Sequence, residues 1–61
     1  MDKQQFVDSL RALQTKLADA TAEITSDDVE TAKGIVRHQP SMNNRVLFAQ
    51  VSARYQTQQD A

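Results

Sequence analysis

The side chains that carry out most protein chemistry are scarce here: one histidine, His38, one glycine, Gly34, and no cysteine. A lone imidazole has no thiol or second histidine with which to share a metal, and a single glycine cannot build a phosphate-cradling loop. His38 lies two residues before Pro40, where a helix must end, and a cation at a helix C-terminus is favoured by the dipole. It reads as an exposed helix-end residue. Asp27-Asp28-Val29-Glu30 groups three carboxylates without the alternation and glycine of a calcium loop, so helix capping is the better reading. No catalytic group, metal or cofactor is expected, and the chain is not expected to be an enzyme.

Asp8-Ser9-Leu10 resembles the Asp-Ser-Leu at which carrier proteins attach phosphopantetheine. It falls inside the first helix, no helix of that fold precedes it, and Leu10 is needed for packing; the tripeptide reads as coincidence. Nucleic-acid binding is the stronger alternative function. A helix-turn-helix of the second helix, the Gln39-Pro40-Ser41 turn and the third helix would present Asn43, Asn44 and Arg45 to base edges at the start of a recognition helix. Lys33, Arg37 and Ser41 would stand near phosphates. Against it, the turn Gln39-Pro40-Ser41 has no glycine, Met42 and Val46 occupy the groove-facing side, and the pI is about 5.6.

Charge is unevenly spread along the 61 residues, although seven Lys or Arg against eight Asp or Glu leave a net charge of only −1. The first thirty residues hold Asp2, Asp8, Asp19, Glu23, Asp27, Asp28 and Glu30 against Lys3, Arg11 and Lys16, a net −4. The rest hold Lys33, Arg37, Arg45 and Arg54 against Asp60, a net +3. Two halves that complement each other within one fold, or between copies, account for this better than a thin phosphate footprint of four cations.

The elements follow from periodicity and caps. Asp2 and Gln5 have capping-box spacing, with Met1 and Phe6 at staple positions. Phe6, Leu10, Leu13, Leu17, Ala20 and Ile24 recur at intervals of 4, 3, 4, 3 and 4 residues, which predicts one helix through Ile24 with a partner approaching closest at Ala20. Asp27 and Glu30 suggest a second capping box. The helix after it has Val29, Ala32 and Val36 on one face, with Ile35 at the edge, and ends by His38. Gly34 lies inside that helix or terminates it early at Lys33. Ser41 is a suitable N-cap for a third helix from Met42 to Tyr55 or Gln56, followed by a fraying polar tail over 56–61. A strand over 45–51 is the alternative there, but Val46-Leu47-Phe48 breaks strict alternation.

The third helix carries two apolar stripes. Leu47, Phe48, Val51 and Tyr55 fall on one side; Met42, Val46, Ala49 and Ala53 fall nearly opposite. Asn43, Gln50 and Arg54 separate them along one edge, and Arg45, Ser52 and Gln56 along the other. A two-striped helix needs two partners, and so short a chain needs extra burial. The expectation is therefore a small all-α bundle, two longer helices and one short, completed as a homo-oligomer. It would be a cytoplasmic adaptor, inhibitor or small regulatory subunit, of the size common among phage and plasmid regulators. Its protein partner would dock on the second stripe, Met42, Val46, Ala49 and Ala53. The polar face of the first helix mixes Asp8, Asp19 and Glu23 with Arg11 and Lys16, which does not suit a membrane surface.

Overall fold

A computed structural model describes residues 2–60. It contains α1 (Lys3–Ala18), α2 (Ser26–His38) and α3 (Met42–Asp60), packed together, with no strand among the described residues. Residues 45–51 are helical throughout. The Met1 staple position lies outside the described residues.

Asp2 caps α1, its carboxylate accepting from the Gln5 amide at 2.7 Å. Gln5 makes no return bond among the described residues, so only half of the box forms. The helix expected to reach Ile24 stops at Ala18. Asp19 is the reason. Its carboxylate accepts from both the amide and the hydroxyl of Thr21, at 2.9 and 2.7 Å, a local turn that outcompetes another helical turn. Ala20 is consequently exposed and approaches no partner. Ile24 is still 1% exposed, but the linker, not the helix, brings it to the core.

The cap of α2 also differs from expectation. Thr25, not Asp27, is the N-cap: its hydroxyl accepts from the Asp28 amide at 3.2 Å, and the Asp28 carboxylate accepts from the Thr25 amide at 3.0 Å. Asp28 outcompetes Glu30 for the return role because it is also held by Lys16, whose ammonium lies 2.7 Å from its carboxylate. Gly34 sits inside α2 with a negative φ, so it does not terminate the helix. Because Gly34 points away from fully buried Ala32 on the helical wheel, Gly34→Ala should raise stability by about 0.5–1 kcal/mol. Chemical denaturation checks this; a fall in stability would reveal a close contact at Gly34.

Three side-chain contacts give the topology. The Phe6 and His38 rings stand 4.9 Å apart, placing the start of α1 beside the end of α2. Lys16 reaches Asp28, joining the end of α1 to the start of α2. Gln58 reaches Ile24, bringing the end of α3 to the same place. The helices therefore run up, down and up in a body of 35 × 17 × 17 Å. The α2–α3 contact is the most extensive and α1–α3 the least. Leu13, Ile24, Ala32, Ile35, Leu47 and Val51 form the buried core, with Phe6, Leu10, Leu17, Val29, Phe48 and Tyr55 packed around it.

Candidate interaction surface

The inner stripe of α3 does what its spacing implies: Leu47 and Val51 are buried, and Phe48 and Tyr55 half-buried. None of the opposite stripe belongs to the core or packs against it among the described residues. Met42 is 74% exposed and Val46 45%, and Ala49 and Ala53 are exposed one and two turns further on. All four are brought together on the outer side of one regular helix. Val7 on α1 is the other large apolar side chain left in water among the described residues.

The positions assigned to nucleic acid separate. Lys33, Arg37, Asn43 and Arg45 are exposed, with Lys33 3.3 Å from Glu30 in a surface ion pair. Asn44 is corrected from a side chain presented to base edges to a buried one, 6% exposed. Its amide nitrogen donates to the Gln39 carbonyl at 2.8 Å, and its backbone N–H donates to the Ser41 hydroxyl at 3.2 Å. The Ser41 N–H donates to the same Gln39 carbonyl at 2.9 Å, so the Asn44 side chain adds a second donor and ties the first turn of α3 to the end of α2. A side chain used in this way is not available to a base edge.

The opposite end of the bundle holds a polar constellation that the wheel of α3 does not predict. Arg54, placed by spacing alone on an edge between two stripes, caps the end of α1. One guanidinium nitrogen donates to the Lys16 and Leu17 carbonyls at 3.0 and 3.5 Å, and the other to the Asp19 and Ala22 carbonyls at 2.6 and 2.5 Å. One turn later Gln58 grips Ile24, accepting from its amide at 2.8 Å and donating to its carbonyl at 2.7 Å. The end of α3, expected near Tyr55 or Gln56, is thereby corrected to Asp60, because Gln58 has backbone to hold. An open groove of about 460 Å³ runs between the linker and α3 beside Thr21, Glu23 and Thr57. Its polar side chains Arg54 and Gln58 are already engaged by the linker.

Two carboxylates at this end are perturbed. Burial pushes the Asp28 carboxyl up, but hydrogen bonds from Lys16 and Thr25 and the ammonium charge outweigh it and hold the group below the usual range. Hydrogen bonds from the Thr21 hydroxyl and amide lower Asp19, burial opposes them, and the nearby Arg54 charge adds to the lowering. A carboxylate lowered in the folded state contributes stability that is fully present above its unfolded pKa of about 4 and is lost as pH falls through the lower folded value. The melting temperature should therefore fall on acidification from about pH 6 to about pH 3, and less steeply in Asp28→Asn. Equal slopes in both proteins would remove Asp28 as a source.

No helix among the described residues is long and apolar enough to cross a membrane. Compared with protein families, with curated proteins and with solved structures, the chain matches none.

Proposed function

We propose that the chain is a small non-enzymatic interaction module, an adaptor, inhibitor or small regulatory subunit. Its docking element is the outer face of α3. The observation that carries this reading is the solvent exposure of Met42, Val46, Ala49 and Ala53 on one side of a helix whose other side already fills the core. Exposed apolar side chains are common one at a time; four in register on a rigid helix match the anchor spacing by which helices recognise protein grooves and other helices.

The remaining surface offers no competing device of equal definition. The basic residues Lys33, Arg37 and Arg45 stand with one free asparagine, Asn43, beside a sequestered Asn44.

Ala49→Glu combined with Ala53→Glu tests the face. Both positions are exposed, so circular dichroism and the melting temperature of the dilute protein should change little, within about 0.5 kcal/mol per site. Association with protein, whether with a second copy or with a partner captured from the native host, should be lost. Unchanged self-association and unchanged capture by the double variant would overturn the reading.

A further inference from the structure

We infer that the protein docked on the outer face of α3 is a second copy of this chain, paired antiparallel through α3. The inference rests on the reading of that face as a docking element and adds the occupant and its orientation. Three observations favour it.

Size along the face is graded. Met42 and Val46 come first and Ala49 and Ala53 follow, at intervals of 4, 3 and 4 residues. Antiparallel pairing in the seam register brings Met42 against Ala53 of the second copy and Val46 against its Ala49, so every large side chain meets a small one. Parallel pairing sets Met42 against Met42 and leaves the alanines facing each other across a gap. Facing layers pack to interior density when large and small residues alternate across them.

Charge points the same way. Arg37, Arg45 and Lys3 outnumber Asp2 and Asp8 at the end of the bundle where α1 begins, α2 finishes and α3 begins. Asp19, Glu23, Asp27 and Asp60 outnumber Arg54 at the opposite end, where Lys16 is already paired with Asp28. Neither Arg37 nor Arg45 is in an ion pair among the described residues. An antiparallel neighbour lays its acidic end, led by Asp60, beside this basic end, and the helix dipoles oppose. A parallel neighbour stacks like on like. Along the seam edges Arg45 then meets Ser52 of the second copy and Asn43 meets its Gln50, so no like charges face each other.

Surface is also left over. The accessible area of 4322 Å² for 6.8 kDa exceeds the roughly 4,000 Å² usual for a folded monomer of that mass. The seam is short, so the dimer belongs to the weak class, populated between about 10 μM and about 1 mM.

The chain contains no cysteine, which makes crosslinking clean. Met42→Cys and Ala53→Cys proteins, mixed and gently oxidised, should give the mixed disulfide in excess over either homodisulfide. In the antiparallel register like positions lie 11 residues apart, beyond disulfide reach. Sedimentation equilibrium of the unmodified protein should show a monomer–dimer equilibrium weakened about tenfold by Ala49→Glu and weakened again by raised salt. A chain that stays monomeric to about 1 mM, or homodisulfides in excess, would overturn the pairing. If that monomer still captures a host protein that the Glu variants lose, the pairing fails while the docking reading stands.

Discussion

Ile35→Ala should cost about 3 kcal/mol and leave the chain close to unfolding at physiological temperature. A chain of this length has a total stability of about 3–9 kcal/mol, and six residues form its buried hydrophobic core. Ile35 is fully buried on α2, the helix with the greatest contact to α3 and the larger share of what α1 contacts. Truncating it removes the transfer free energy of its methyl and methylene groups and leaves a cavity between helices. Collapse of that cavity would require α1 or α3 to shift against the caps and clamps that hold them. Ala32, also fully buried, has a single methyl with no rotamer by which it could fill the space. Urea titration followed by circular dichroism measures the loss. A cost below about 1 kcal/mol would mean that the three helices repack freely and that the core is not a fixed arrangement.

How far the sequence discloses this arrangement depends on what holds each piece. Periodic apolar positions are legible because burial is a property of side-chain type and spacing: Leu13, Ala32, Ile35, Leu47 and Val51 all appear in the faces that the helical wheels define. Helix ends set by a proline are legible as well, since Pro40 acts through covalent geometry that no tertiary context removes. The end of α1 is not. Ile24 continues the seam spacing, and nothing in periodicity distinguishes further helical turns from a linker that folds back to bury the same side chain. The deciding interaction is the Asp19–Thr21 turn, a local signal masked by a longer pattern. Thr25-x-x-Asp28 was equally available as Asp27-x-x-Glu30 under the capping-box rule; the choice between them is made by Lys16, twelve residues away in sequence. Asn44 and Arg54 lie furthest from sequence reasoning. Both are polar side chains whose partners are backbone carbonyls, and backbone carbonyls have no sequence. Of the outer face of α3, the sequence discloses the four residues and the structure their exposure.

Arg54→Ala should destabilise the protein by about 2 kcal/mol, although Arg54 is only half-buried and makes no ion pair among the described residues. The end of a helix leaves carbonyls without intrahelical donors, and α1 ends without a glycine to curl the chain back onto them. Arg54 supplies the donors from another helix, reaching the carbonyls of Lys16, Leu17, Asp19 and Ala22. A charged donor to a carbonyl contributes about 1.5–3 kcal/mol; resolvation of these partly exposed carbonyls after truncation holds the net loss far below the sum over four bonds, near the contribution of one. The effect should also be local before it is global. With the guanidinium gone, Gln58 alone ties the 19–25 linker to α3 by side-chain hydrogen bonds among the described residues, so amides of that segment should exchange faster than those of α2. Arg54→Lys separates geometry from charge: an ammonium has its donors on one nitrogen and cannot span the set of carbonyls that the planar fork reaches, so it should recover less than half of the loss. Full recovery by lysine would show that the charge at the α1 C-terminus, rather than the fork, is what stabilises the linker.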